Sequence, residues 1–137
     1  MIKHRNAGKI ESHLWFFKGF CNYLQPKLTQ TIDVGTLALP KSISGMTIFM
    51  DMEEQVGGLC GEIEVLVPDE MSCCHSVIAS AQYVEYKIYH YLDKAFESFF
   101  GFVRVLPGAF SMLRWESIQG DPLKRLFNGI NRDNQSP

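Results

Sequence analysis

The chain has 137 residues, 46% of them hydrophobic and 20% charged, which fits one folded domain with a sizeable core. Its formal net charge of −2 argues against a nucleic-acid partner, which usually requires a strongly basic face. No apolar run approaches the roughly 18 to 20 residues that span a bilayer, and the basic N-terminus does not lead into an apolar signal core. We therefore expect this chain itself to contain no transmembrane segment.

The first half of the chain predicts two helices and two strands. Apolar residues at three- and four-residue steps between positions 9 and 24 predict an amphipathic helix, which Pro26 ends. Residues 28–34 predict a short strand and residues 42–52 a second helix. Residues 56–67 predict a strand that three glycines interrupt, followed by a loop at 68–72.

The second half of the chain begins with the longest helical pattern, at residues 76–99. Its apolar side chains share one helical face. Gly101 ends this pattern, and residues 102–106 and 110–114 predict two strands. Asp121 and Pro122 predict the start of a last helix, which we expect to end at Asn128 and Gly129 before a polar tail.

Helices that alternate with short apolar strands predict a layered α/β domain with a largely parallel sheet. In such sheets, ligands bind beyond the carboxyl ends of the strands. Asp33 and the turn at Leu106, Pro107 and Gly108 both lie at predicted strand ends. These two segments are therefore the first candidates for a site.

Each candidate residue also has a purely structural reading. Asp33 followed by Gly35 can present a carboxylate to a metal ion, or it can simply open a turn. Lys9 at a helix start can contact a phosphate, or it can be a solvated lysine. Glu62 after the glycines can accept a hydrogen bond from a ligand, or it can sit exposed on a bulged strand.

Five runs of residues are more specific in combination than any of them is alone. Together they resemble the catalytic domain of chitin synthases, processive family-2 glycosyltransferases that polymerise N-acetylglucosamine from its UDP donor. The runs are Asn-Ala-Gly-Lys with Ser-His and Trp-Phe-Phe at 6–17, Asp-Val-Gly-Thr at 33–36, Gly-Gly-Leu-Cys-Gly-Glu-Ile at 57–63, Gln-x-x-Glu-Tyr-Lys at 82–87 and Leu-Pro-Gly-Ala-Phe-Ser at 106–111.

The resemblance covers residues 6 to 127 and leaves 128–137 as the polar tail. It implies that residues 1–137 form a single partial catalytic domain, a layered α/β unit of the GT-A-like class that is incomplete at both ends. The Gln-x-x-Glu-Tyr-Lys and Leu-Pro-Gly-Ala-Phe-Ser runs favour chitin synthase over other processive family-2 enzymes, such as hyaluronan or cellulose synthases.

The resemblance also implies roles for individual residues. Lys9, Asp33, Gly35 and Glu62 would bind the donor, with Asp33 at the diphosphate and at a divalent metal ion, Mg²⁺ or Mn²⁺. The acceptor or pocket residues would be Gln82, Glu85, Pro107 and Gly108; the polar stripe of Gln82 and Glu85 could border either the donor or the acceptor.

Two motifs of the family do not occur in this sequence. Chitin synthases carry a Glu-Asp-Arg motif, whose aspartate resembles the general base, and a Gln-Arg-Arg-Arg-Trp motif that holds the growing chain. No catalytic base is identified in this chain. A lost general base costs roughly 100- to 10,000-fold in rate. We therefore expect the chain by itself to be nearly inactive in the inverting transfer that the family carries out.

The resemblance further implies the partners and the location of the complete enzyme. The partners would be UDP-N-acetylglucosamine and a chitin chain, and a homo-oligomer is a further expectation. The full-length enzyme would lie in the plasma membrane with a cytoplasmic catalytic face, held there by segments absent from this chain. The alternative is a non-catalytic, truncated remnant that binds a nucleotide-sugar or an intact synthase.

Overall fold

A computed structural model of the chain describes residues 8–66 and 73–133. The predicted loop at 68–72 lies outside these residues. Two π-helical stretches, Trp15–Cys21 and Tyr89–Lys94, continue α1 into α2 and α4 into α5. The helices are α1 (Gly8–Leu14), α2 (Asn22–Leu24), α3 (Ser42–Met52), α4 (Cys73–Ile88), α5 (Ala95–Phe99), α6 (Trp115–Ile118) and α7 (Asp121–Asp133), and the strands are β1 (Leu28–Ile32), β2 (Gly58–Cys60) and β3 (Phe110–Arg114).

The three strands form one sheet in the order β1-β3-β2. The central strand β3 pairs antiparallel with both neighbours, so the expected parallel pairing is wrong for the described residues. The chain enters β3 at the end of the sheet where β1 and β2 stop, since Ile32 pairs with Phe110 and Cys60 with Ser111.

Helices cover both faces of the sheet, which confirms the expected layered α/β class. On one face, Phe110 and Met112 of β3 pack against Met46 and Met50 of α3. On the other face, Trp115 packs in a cluster with side chains of the first helix and of α7: Phe17, Cys21 and Phe127. The alternation of β3 side chains between two apolar clusters fixes its register, because a slip of one residue would exchange the faces.

Most of the predicted helices are confirmed. The first helix runs from Gly8 to Leu24, the second spans residues 42–52, and the long one continues to Phe99. The last helix begins at Asp121 but passes through Asn128 and Gly129, so its predicted end is wrong. The burial of Phe127, only 4% exposed, favours the helix there by more than the penalty of about 1 kcal/mol for a helical glycine.

Two predicted strands differ from the structure. Of the strand predicted at 56–67, the residues that the structure describes, 56–66, form a strand only at Gly58–Cys60. The strand predicted at 102–106 is not formed, because side chains of the long helix, and not a neighbouring strand, satisfy its backbone. Lys94 Nζ donates to the Val105 carbonyl, and Arg104 N–H donates to Glu97 Oε2 at 3.0 Å.

The apolar face predicted for the long helix is largely exposed. Val84 is 52% exposed, Leu92 63% and Phe99 85%. The buried side chains that the structure describes on this helix are Ala79 and Lys94. None of the described helices is both long enough and apolar enough to cross a membrane.

Candidate functional site

The candidate site lies at one edge of the sheet, where β1 and β2 end and β3 begins. Asp33 follows β1, and its N–H donates to the Ala109 carbonyl at 3.0 Å. Gly61 follows β2, and its N–H donates to the Phe110 carbonyl at 3.2 Å. β1 and β2 both run antiparallel to β3 and hence parallel to each other, about 10 Å apart across two strand spacings. Their carboxyl ends therefore meet at a common edge.

Three of the predicted site residues converge at this edge. Lys9 Nζ lies 2.6 Å from Asp33 Oδ1, and both side chains are about half exposed. Gly108 lies directly against the same ammonium group: a Cβ at this position would stand 3.3 Å from Lys9 Nζ. A cation, a carboxylate and an uncovered backbone segment thus share one solvent-accessible spot.

A turn fixes the direction of Asp33. Thr36 N–H donates to the Asp33 carbonyl at 3.1 Å, and Gly35 has φ 93°. Glycine adopts this backbone conformation at little cost, whereas other residues rarely do. The structure therefore shows a conformational role for Gly35, which allows the chain to turn immediately after Asp33.

His13 is a neighbour of this cluster that the sequence did not single out as a site residue. It follows Lys9 by four positions on α1, and its ring contacts Phe17 edge-on at 5.9 Å between centroids. Burial lowers the pKa of His13, the positive charge of Lys9 lowers it further, and Asp33 acts in the opposite direction. The spacing of four residues was the signal that could have placed His13 beside Lys9.

Glu62 lies on the far side of the same edge and is held in an ion-pair cluster. Lys87 of α4 donates to Glu62 and, at 2.5 Å, to Glu64. Tyr91 Oη lies 3.3 Å from Glu62 Oε2, and Lys87 Nζ stands 5.3 Å and 5.5 Å from the ring centroids of Tyr83 and Tyr91. The hydrogen bond from Lys87 lowers the pKa of Glu62. The hydrogen bonds to Glu62 and Glu64 raise the pKa of Lys87.

The glycines before Glu62 allow a second strand to approach. A Cβ at Gly58 would lie 2.5 Å from Leu106 Cδ1, and a Cβ at Gly61 would overlap the Phe110 ring. Real Cβ atoms do not make contacts this close. Gly61 is therefore required for packing against the rigid Phe110 ring, whereas at Gly58 the end of the Leu106 side chain would have to move. These contacts support the structural interpretation of the glycines, in which neighbouring side chains pack closely on their backbone.

The remaining predicted pocket residues are less closely associated with the edge. Gln82 and Glu85 are exposed on α4, and no hydrogen bond or ion pair joins either to another described residue. Pro107 is half-buried and precedes the turn at Gly108 and Ala109, which confirms the turn predicted there. The structure thus brings Lys9, Asp33 and Gly108 together and keeps Gln82 and Glu85 on a separate surface.

A metal ion at this edge would depend on oxygen atoms from the substrate. Within residues 8–66 and 73–133, no cluster of three or more histidine, cysteine or acidic side chains could hold a metal ion. Asp33 offers a single carboxylate, one oxygen of which accepts from Lys9. Because Mg²⁺ is often bound by one or two carboxylates together with substrate phosphates, Asp33 fits the role of a ligand shared with a diphosphate.

Two pockets lie away from the Lys9–Asp33 pair. One of about 380 Å³ is bordered by Phe17, Trp115 and Gly120, and the other, of about 480 Å³, by Lys94, Phe100 and Arg104. Neither lining includes Lys9, Asp33 or Gly108, so the candidate residues at the strand ends lie outside both pockets.

Comparison with known proteins gives one family. A model of the chitin synthase-like glycosyltransferase domain matches residues 1–136. Chitin synthase 1 of Phytophthora sojae is 41% identical over 130 residues, which is 95% of this chain and 14% of that protein. Chitin synthases 2 and 1 of Mycosarcoma maydis are 40% and 41% identical over 128 residues, 93% of this chain and 12% and 14% of those proteins. The chain therefore spans about one seventh or less of the length of these relatives.

Proposed function

Because this chain belongs to the chitin synthase family of glycosyltransferases, we propose that it forms the donor-binding part of an enzyme that extends chitin. The donor would be UDP-N-acetylglucosamine and the acceptor a growing β-1,4 chain. The observation that carries the proposal is the convergence of Lys9, Asp33 and Gly108 at the ends of β1 and β2.

The exposed Lys9–Asp33 pair suits exchange with a charged ligand. Surface ion pairs contribute only about 0 to 1 kcal/mol, so a diphosphate can replace Asp33 as the partner of Lys9 at low cost. Gly108 presents no side chain at this point, which leaves room for a ligand beside the ammonium group. A bound divalent cation, shared by Asp33 and the diphosphate, would neutralise the charge of the leaving UDP.

The described carboxylates at this edge are engaged with lysines. Asp33 is paired with Lys9, and Glu62 with Lys87. In this proposal Asp33 is a ligand of the divalent cation once the diphosphate has taken its place at Lys9, and Glu62 stays paired with Lys87. Both carboxylates thus serve binding and positioning, and the proton of the acceptor leaves through a base that they do not supply.

We extend the proposal to the surroundings of the complete enzyme. It would be an oligomer in the plasma membrane, with this edge of the sheet facing the cytoplasm, where the UDP donor is made available. The family assignment supports a nucleotide-sugar donor and a chitin acceptor.

Titration of the chain with UDP and with UDP-N-acetylglucosamine tests donor binding. Chemical shifts of the Asp33 and Gly108 amides should move in a saturable way. Lys9→Met should weaken binding about tenfold or more, because it removes a charged hydrogen bond to the diphosphate. Lys27→Met is the matched control, since Lys27 forms a similar exposed pair with Asp51 at 2.6 Å.

The role of Asp33 is tested by the metal dependence of the same titration. Asp33→Asn should weaken UDP binding when Mg²⁺ is present, because a shared ligand is lost. In EDTA the same substitution should leave binding unchanged or strengthen it, since a repulsive charge is removed. Absence of saturable binding to the unsubstituted chain, or equal affinities for Lys9→Met and Lys27→Met, would overturn the proposal.

A second candidate function is a non-catalytic chain that associates with an intact synthase. The observation in its favour is the exposed aromatic surface of the long helix, which includes Tyr91 (59% exposed), Phe96 and Phe99. Apolar patches of this kind usually mark contact surfaces. Sedimentation of the purified chain tests it: a monodisperse monomer with cooperative melting contradicts this candidate, and association through this helix supports it.

A further inference from the structure

The Lys94–Glu97 pair lies outside the proposed donor site and is more buried than any other ion pair described in residues 8–66 and 73–133. The side chains of Lys94 and Glu97 are 7% and 19% exposed, and Nζ lies 3.4 Å from Oε2. Holding charges this far from water is costly unless each one has hydrogen-bond partners. The hydrogen-bond partners of the two side chains therefore indicate which part of the fold the pair stabilises.

Lys94 Nζ lies 4.7 Å from the ring centroid of Tyr89 on the same helix, and the backbone partners of the pair lie in the segment that leads to the Pro107–Gly108 turn. Lys94 donates to the Val105 carbonyl, and Glu97 accepts from the Arg104 N–H at 3.0 Å. Arg104 Nε also lies 3.9 Å from Glu97 Oε1. Two successive residues of an otherwise irregular segment are thus fixed to the end of the long helix by side chains alone.

The fixed segment continues by short steps to the donor site. Leu106 packs on the bare backbone of Gly58, and Gly108 lies against Lys9. The Ala109 carbonyl then accepts from the Asp33 N–H. Val105 precedes Gly108 by only three residues. A displacement of the Val105 backbone would therefore also shift Gly108 and its contact with Lys9.

We infer that Lys94 and Glu97 are positioning residues that set the Pro107–Gly108 turn against Lys9 and Asp33. They act through the backbone of residues 104 and 105 and do not touch the donor. The inference rests on the proposed donor site for its functional meaning. The packing of the turn itself is independent of any ligand.

Amide hydrogen exchange of the chain tests this inference without a nucleotide. In Lys94→Met, the Asp33 amide should exchange at least about tenfold faster, because its acceptor Ala109 is no longer held in place. The Glu53 amide, which donates to Phe49 at the end of α3, serves as the internal reference. A purely structural role would accelerate both amides by the same factor, and that result, or an unchanged Asp33 amide, would overturn the inference.

Glu97→Gln is a second variant for the same exchange experiment, in case Lys94→Met does not fold. The amide retains an oxygen for the Arg104 N–H but loses the charge that pairs with Lys94. We expect a smaller acceleration at Asp33, in the same direction, and none in the Lys27→Met control. An acceleration at Asp33 equal to that at Glu53 in this variant would likewise overturn the inference.

A UDP titration of the same variants separates this inference from the proposed function. If the unsubstituted chain binds UDP, Lys94→Met should lose about fivefold or more in affinity through poorer preorganisation of the turn. Unchanged affinity alongside a loosened Asp33 amide would contradict the functional half of the inference. Failure of the unsubstituted chain to bind UDP would contradict the donor site, while the exchange result would still decide whether the pair positions the turn.

Discussion

Lys9 and Asp33 are 24 positions apart in sequence, yet Lys9 Nζ and Asp33 Oδ1 are 2.6 Å apart. The pair joins the start of the first helix to the end of β1, and it is accessible to water. Since an exposed pair contributes little stability, we propose that its value lies in placing a cation and a carboxylate at one spot before a ligand arrives.

The titration of His13 should report on both members of this pair. Its pKa should lie below 6.5, because burial and Lys9 disfavour the imidazolium. Lys9→Met should raise the pKa of His13, and Asp33→Asn should lower it. Imidazole proton shifts measured by NMR across the titration check both directions, and shifts of the same sign in the two variants would contradict the placement of His13.

The lowered pKa of His13 also affects stability. A group whose pKa is depressed in the fold stabilises it above the unfolded value and loses that contribution as pH falls. The free energy of unfolding should therefore begin to decrease below pH 6.5. His13→Gln should remove this part of the decrease.

Two glycine-to-alanine substitutions should have opposite effects on stability. Gly61→Ala should lower the free energy of unfolding by about 1–3 kcal/mol, because the new methyl group overlaps the Phe110 ring. Gly45→Ala, in the interior of α3 with open space around it, should raise it by about 0.5–1 kcal/mol. Denaturant unfolding of both variants provides the check, and equal effects would mean that Gly61 is not packed against Phe110.

Arg114 is a structural residue whose loss should be severe. Its guanidinium donates to the carbonyls of Met50 at 2.5 Å, Glu53 at 3.1 Å and Val56 at 3.1 Å, and so satisfies the end of α3. Arg114→Met should cost about 2–4 kcal/mol, since buried carbonyls lose their donors. Arg125→Met on the exposed side of α7 should change stability by less than about 0.5 kcal/mol in the same unfolding experiment.

Acid should weaken the two ion-pair clusters of the long helix. The hydrogen bond from Lys87 lowers the pKa of Glu62, and the Arg104 N–H lowers that of Glu97, both from 4.5. A depressed carboxyl pKa means that the stabilisation is complete above pH 4.5 and is lost as pH falls through the lower folded value. Thermal melting at decreasing pH should show this loss, and the Glu62→Gln, Glu97→Gln double variant should show less of it.

The helices could be predicted from the sequence because their signals are local. Residues 42–52 carry a complete helical pattern with Pro40 ahead of it, and Asp121 with Pro122 marks the start of α7. The pairing of β3 could not be predicted, because it joins β3 to two strands that are distant in the sequence. Nothing in the sequence of residues 102–106 indicates that Lys94 and Glu97 satisfy its backbone.

The candidate site was predictable in part. The rule for strand ends and the resemblance both pointed to Asp33 and Gly108, and the structure brings them together with Lys9. The engagement of Glu62 by Lys87 depends on how α4 packs beside β2, which spacing within the sequence does not encode. His13 was within reach of sequence reasoning through its spacing from Lys9.

The central place of β3 in the sheet governs how the molecule is built during synthesis. In the described part of the chain, β1 and β2 pair with β3 and not with each other. Both strands are therefore synthesised before their pairing partner β3, which is complete only once residue 114 has been made. Distant pairing of this kind folds slowly and leaves strand edges open to other chains in the meantime. The proposed donor site, which lies at the ends of these strands, cannot be complete before β3 has paired with both of them.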